Sequence, residues 1–439
     1  MKSLFKWLLI IGGAFFVLII AAVIIIPQFV DINKYKPMIE QKVAEATGRS
    51  FTLGDEMDLS VFPWVGVKLT DLHLGNPDGY NQKDMVSVKN FEVRLKVMPL
   101  LSKKIEIKTF VLDGPAIYLE KLKNGKTNWE GLGKAQSKKA DKTIKEPSST
   151  KGLPIEDLMV GKFSITNGQL IYVDQGANVK KQISDLNLTL DNISLENPVG
   201  ISFAAMIDGK PVSLEGTAGP IGKEPGKGIV AIDFVLKVLE QLEIKLKGNI
   251  IDALASQNFD LELAISSFSP RKLFAALNQS FPVQTKDPKA LSALSLKTSL
   301  KGNPTSVSLS KGELKLDDST IVFSAMAKEF LKPNLKFDLK LDEIDLDRYL
   351  PEPPAKEQTP TAAGTKSSKK IDYGPLRKLV LDGKVQIDKL KAHGAIVEKV
   401  DIHILAKKGI ITIDPLGLNL YQGSVASKLV VNVQKNDPR

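Results

Sequence analysis

The sequence predicts a mainly β protein: an N-terminal transmembrane helix, then a long, mostly antiparallel sheet with few short helices. Three observations carry that prediction. Residues 7–30 hold no charged side chain. Beyond them, apolar residues alternate with polar or charged ones at period two, the spacing of a sheet with one apolar and one wet face. Between the alternating runs stand turn-forming pairs such as Asn-Gly and Asp-Gly, which suit antiparallel hairpins.

The N-terminal run comes first. As a helix, Trp7 to Val30 spans roughly 36 Å, enough to cross a hydrocarbon core of about 30 Å. Leu8, Ile10, Phe15, Phe16, Leu18, Ile20, Ile24 and Ile26 supply its apolar bulk. A cleaved signal peptide would have an apolar stretch of about 7–15 residues ending in a small-x-small site. Here Ala21-Ala22-Val23 runs on into isoleucine, so the run reads as a retained anchor. Lys2 and Lys6 before it nearly balance Lys34 and Lys36 after it, which weakens the positive-inside signal. The tail ahead of the run is short enough to stay inside, which puts the large domain outside the cytoplasm.

A helix follows. Tyr35, Met38, Ile39 and Val43 recur at helical spacing after Asp31, a candidate N-cap. Pro37 marks a kink or a later start, and Gly48 stands where a helix stops. The period then changes to two. Val65, Val67 and Leu69 alternate with polar or small neighbours, as do Val93, Leu95 and Val97, then Ile105 and Ile107. Far downstream, Leu242, Ile244 and Leu246 and then Phe337, Leu339 and Leu341 repeat the pattern against lysine and acid. Val86 and Val88 run out of phase with Phe91 and Val93, which predicts a bulge near Lys89 and Asn90. Ser269-Pro270 starts a short helix through Leu277, and Asp345 to Leu350 reads as one turn.

An internal echo accompanies the turns. Phe110-Val111-Leu112-Asp113-Gly114, Phe163-Ser164-Ile165-Thr166-Asn167-Gly168 and Leu379-Val380-Leu381-Asp382-Gly383 each read as strand, glycine turn, strand. No strict period emerges, which argues against a propeller. Residues 133–154 form a Lys-rich linker and 351–370 a Pro/Lys/Thr-rich one, both poor in apolar residues. The predicted organisation is a cytoplasmic tail and anchor (1–30), an N-terminal domain (31–132), the first linker, a β-rich repeat-like body (155–350), the second linker, and a C-terminal β segment (371–439).

A one-faced sheet must cover its apolar side with a second sheet, with helices, or with something that is not protein. Helices are too few here. A β-sandwich, in which two sheets cover each other, satisfies the pattern. A trough lined with apolar side chains and filled by lipid satisfies it too, and periodicity alone favours the sandwich without deciding.

Composition narrows the function. The chain of 439 residues has no cysteine and three histidines, which removes thiol chemistry, thiolate metal sites and disulfides. His73, His393 and His403 show no ligand spacing, so no metal site is expected. The net charge of +10 falls mostly in the tail and the two linkers, without interleaved arginine or aromatics, so no nucleic-acid partner is expected. Gly219 to Gly228 lacks phosphate-loop spacing, Leu341 to Asp347 lacks the calcium-loop glycine, and no hydrolase motif occurs. Neither an enzyme nor a cofactor is expected.

Several segments carry a family resemblance. They are Phe29 to Pro37, Glu45-Ala46-Thr47-Gly48-Arg49, Phe62-Pro63-Trp64, Leu74-Gly75-Asn76-Pro77, Met98-Pro99-Leu100-Leu101, Val111 to Pro115 and Asn128-Trp129. In that order they resemble the N-terminal region of the AsmA family over about residues 1–132. Asp414-Pro415-Leu416 and Tyr421-Gln422-Gly423-Ser424 resemble a family segment that lies well before the usual C-terminus, as in a short or truncated member.

The resemblance implies a single-pass inner-membrane protein of a Gram-negative bacterium with its large domain in the periplasm. It also implies a curled sheet with an apolar groove, phospholipid as cargo moving toward the outer membrane, and a part in outer-membrane homeostasis. It shifts the expectation from sandwich to groove, with Val93, Leu95, Val97, Ile105 and Ile107 as lining candidates. The expected partners are membrane lipids, the inner membrane through the N-terminal helix, and envelope proteins. The competing expectation is an envelope scaffold that affects protein targeting to the outer membrane and binds along strand edges without carrying lipid.

Overall fold

The computed structural model of the chain describes residues 32–61, 64–101, 106–132, 160–224, 226–330, 333–351 and 374–435. The anchor residues Leu8 to Ile26 and the groove candidate Ile105 lie outside them. Among the described residues no helix is long and apolar enough to cross a membrane. The described residues hold twenty strands, divided between two compact units, residues 1–223 and 224–439.

The first unit opens with a 3-10 turn, Ile32–Tyr35, and helix α1, Lys36–Thr47. Pro37 sits in the first turn, where its missing N–H costs nothing, so it marks a later start rather than a kink. Gly48 ends the helix at φ 69° with its N–H on the Ala44 carbonyl. Then come β1 (Phe51–Thr52), β2 (Met57–Ser60), β3 (Trp64–Gly75), β4 (Asp84–Lys96), helix α2 (Val97–Leu101) and β5 (Ile107–Lys121). After the first linker follow β6 (Val160–Asp174), β7 (Val179–Ile193), β8 (Val199–Ile207) and β9 (Lys210–Gly219). β1 and β2 both pair with β3, and from β3 to β9 each strand pairs with the next in sequence. Every pairing is antiparallel except β5 with β6.

The second unit repeats the plan. Its strands are β10 (Ile229–Val238), β11 (Leu242–Ile251), β12 (Asn258–Phe268), β13 (Leu294–Asn303), β14 (Ser306–Leu316), β15 (Ser319–Lys328) and β16 (Asn334–Asp345). Beyond the second linker lie β17 (Val380–Ala392), β18 (Ala395–Lys407), β19 (Ile410–Leu420) and β20 (Gly423–Asn432). Helix α3 (Pro270–Ala276) starts at Ser269, whose side chain accepts from Lys272 N, and α4 (Gly374–Lys378) precedes β17. Asp345 caps a 3-10 turn over Leu346–Arg348, as its place after an acid-rich strand predicts. β16 and β17 are parallel and the other pairs antiparallel. The two parallel pairs, β5 with β6 and β16 with β17, are the ones whose strands are separated by the expected linkers, in keeping with the longer connection that parallel strands need.

The three glycine motifs differ from the hairpins expected of them. Asp113-Gly114 lies inside β5, Asn167-Gly168 inside β6 and Asp382-Gly383 inside β17. Each is one long strand. The first two are bends at matching levels: Gly114 has φ 60° and Asn167 φ 53°, and their flanking residues Asp113 and Thr166 are register partners. Asp71 of β3, at φ 48°, continues this row of bends. Lys89 of β4 drops out of the ladder beside Asp71 and Gly114, at the level where the bulge is expected. Such bends reverse the alternation in step across neighbouring strands, so Leu72 and Val88 rejoin the face used by Leu69 and Phe91.

Candidate functional site: a half-exposed apolar face

Register assembles the apolar residues into rows. In the first unit one row runs Val67, Val93, Phe110, Phe163, Leu190, Ile201, and the next Leu69, Phe91, Leu112, Ile165, Leu188, Phe203. Phe91 and Phe110 meet edge to face at 5.2 Å, and Phe110 and Phe163 stack at 5.4 Å. The second unit has equivalent rows, among them Leu236, Ile244, Ile265, Leu296, Leu314, Ile321, Leu341 and Ile387. Three glycines on these rows face phenylalanines across the ladder: Gly302 with Phe259, Gly312 with Phe323, and Gly383 with Phe337. Each ring lies where a Cβ would stand, so ring and glycine fill one place between them.

The rows are not sealed. In each unit the strands belong to one sheet, and substantial backbone contacts join paired strands or lie at the sheet margins, where α1 meets β1 and α2 meets β4. Buried apolar side chains are few among the described residues, Leu341 and Val400 being examples, while most of the row residues stay half-buried. The opposite face is charged and hydrated. Asp233–Lys247 at 2.9 Å and Asp260–Lys301 at 2.7 Å are cross-strand ion pairs there, both exposed to solvent and so screened by it.

The predicted lining residues divide. Val93 pairs with Phe110 and Leu95 with Ile107, which puts Val93, Leu95 and Ile107 on the apolar face, all half-buried. Val97 opens α2 instead of extending β4, because Pro99 two residues on suits a helix start and ends the ladder. Phe91, Phe110 and Phe163 are the residues sequence reasoning passed over. The echo between Phe110 and Phe163 was the available signal, since the echoing segments lie side by side in register.

Polar groups elsewhere hold the frame. Glu120 and Asn128 are fully buried. The Glu120 carboxylate accepts from Asn81 N at 3.0 Å and from Gln175 Nε2 at 2.6 Å, and Asn128 Oδ1 accepts from Glu120 N at 2.9 Å. Arg49 donates to the carbonyls of Asn128 and Glu130, so the turn after β5 is tied to the end of α1. Trp129 stands 6.3 Å from Tyr172, and Lys108 Nζ lies 2.9 Å from the Trp64 ring centre. His73 pairs with Asp84 and His403 with Asp382, each at 2.8 Å, and among the described residues no cluster suits a metal ion. A pocket of about 240 Å³ contains Asp318, Glu343 and Asp345. Their partners are Arg348 at 2.7 Å, Lys389 at 3.9 Å and Lys391 at 2.8 Å.

The sequence profile of the AsmA family matches residues 1–220 and 226–438. The chain belongs to the AsmA family. AsmA family protein YhjG of Escherichia coli (strain K12) is 32% identical over 131 residues, which are 27% of this chain and 19% of that protein. The match therefore spans less than a fifth of the relative's length. No solved structure matches. Within this AsmA-family chain, Asn76 and Asn128 of the N-terminal motifs bond to each other at 2.8 Å, and Asp113 of the Asp-Gly-Pro motif receives Asn90, Thr166 and Asn167 at the row of bends.

Proposed function

We propose that the chain handles phospholipid: acyl chains lie against the apolar face of a curled sheet whose charged face meets water. The carrying observation is the half-exposed apolar rows within each unit, where few apolar side chains are buried among the described residues. A diacyl lipid of about thirty methylenes gains roughly 24 kcal/mol by leaving water, at ~0.8 kcal/mol per methylene, so a surface of this kind meets the main need of lipid in an aqueous gap. Membership of the AsmA family and the uncharged run at residues 7–30 support an inner-membrane anchor with the sheet in the periplasm, serving movement toward the outer membrane. The role is non-enzymatic and needs no cofactor.

The test is a photo-crosslinker placed in the full chain in cells, at Leu95 or Ile107 on the apolar face and at Lys68 on the hydrated one. Phospholipid adducts at Leu95 and Ile107 but not at Lys68 are expected. No adduct on the apolar face, or equal labelling of both faces, sinks the reading. A scaffold without lipid has its own support in β20, which pairs only with β19 among the described strands and is exposed along most of its length. Protein adducts along β20, with none to lipid at Leu95, would favour it.

A further inference from the structure

The hydrated face carries exposed apolar side chains at several places, Val322 and Met326 of β15 among them, and three lie on neighbouring rows at one end of β18–β20. Across β16 to β20 one of its rows runs Lys336, Asp382, Leu405, Thr412, Val430, and the row beside it holds Lys407, Ile410 and Asn432. Leu405, Ile410 and Val430 are 42%, 40% and 49% exposed, on a face that elsewhere carries paired charges. Exposed lysines surround them. Lys407 lies in the patch and Lys408 on the turn beyond it. Lys378 and Lys435 are brought to the same end through Val433, whose N–H donates to the Gly409 carbonyl while its own carbonyl accepts from Arg377 Nε, both at 2.8 Å. None of these four lysines has an ion-pair partner among the described residues, unlike Lys247, Lys301 or Lys336 on the same face. Phe330, 52% exposed, tips the β15–β16 turn at this end.

Apolar side chains set among unpaired lysines match the chemistry of an anionic bilayer surface, where the lysines meet phosphates and the apolar groups enter the interface. We propose that this end of β17–β20 docks on an anionic phospholipid membrane, separately from the apolar face that faces cargo. A protein strand fits less well, because strand addition uses the backbone edge of β20 and has no need of lysines on β18 and α4. The inference rests on the lipid-handling reading only for the anchor used in its test.

The full chain is reconstituted in phosphatidylcholine vesicles, with flotation confirming that it inserts, and protein-free vesicles are then added. Tethering of phosphatidylglycerol-rich vesicles that weakens with salt, and none of phosphatidylcholine vesicles, is expected. Each lysine contributes about fivefold near an anionic surface, so Lys378→Gln with Lys407→Gln and Lys408→Gln lowers tethering about a hundredfold, while Lys399→Gln on the same strand leaves it unchanged. Equal tethering of neutral vesicles, a triple variant as active as the parent, or tethering only when both vesicle sets carry the chain would overturn the proposal; the last outcome would assign the surface to contact between copies. Leu95→Asp impairs cargo and leaves tethering intact, so failure of the lipid-handling reading reads out apart from failure of the docking surface.

Discussion

Asp317 orders its surroundings with one carboxylate. It accepts from Leu291 N at 2.8 Å, Ser292 N at 2.9 Å, Ala293 N at 3.0 Å and the Tyr349 hydroxyl at 2.9 Å. Partial burial alone would raise its pKa, but these donors, Ala293 N foremost, outweigh burial and hold it below the usual carboxylate range. Burial first, then the bond to Asp317, pushes the Tyr349 phenol up to about 12. Asp113 is also lowered, by Asn90 first and then Thr166 and Asn167. A carboxylate with a folded pKa below its unfolded value stabilises the fold above that unfolded value, about 3.9, and the contribution disappears as pH falls through the folded value. Urea titrations at a series of pH values should therefore show stability declining below about pH 4, with a shallower decline in Asp113→Asn. Asp317→Ala strands three backbone donors and should cost about 2–3 kcal/mol at neutral pH, in the same titrations.

Among the elements, alternation and turn chemistry were legible to different degrees. Alternation depends on which side chain meets water, a local property, so β4, β11 and β16 and their apolar residues could be read directly. Pro37, Gly48 and Ser269 likewise act within one turn, and the helix limits follow from them. Asp113-Gly114 and Asp382-Gly383 could not be assigned this way, because one dipeptide serves a hairpin or a bend inside a strand, and the choice belongs to the neighbours. At Gly383 the neighbour is Phe337, whose ring occupies the space a side chain would need. Gly383→Val should therefore displace that ring and lower stability by about 1–3 kcal/mol, whereas Phe337→Leu with Gly383→Ala should recover part of the loss. Thermal melts of the single and double variants decide it. Gly248 is a different case: at φ 146°, with the Asp260 carbonyl against it, any side chain is strained, and Gly248→Val should break β11 from β12.

At the scale of the whole molecule, composition could exclude chemistry but could not say which layer covers the apolar rows, since a sandwich and an open face share one period. Within each unit the strands follow one another in one sheet, and that order, with the half-buried rows, is what supports the proposed open face. A protein of this kind should bind an environment-sensitive apolar dye in its native state, with the signal suppressed by added phospholipid and reduced in Leu95→Asp. Dye bound only after denaturant opens the fold would mean that the rows are sealed.

The strand order within each unit has one more consequence. Each strand leans on its two neighbours and on little else, so the architecture has no centre that a change of length must preserve. One more hairpin leaves every existing contact intact and lengthens the apolar path by about 10 Å, two strand spacings. For such a sheet, reach is a matter of counting hairpins, and a lineage that needed a longer or shorter path could obtain it by duplicating or losing one without redesigning the rest.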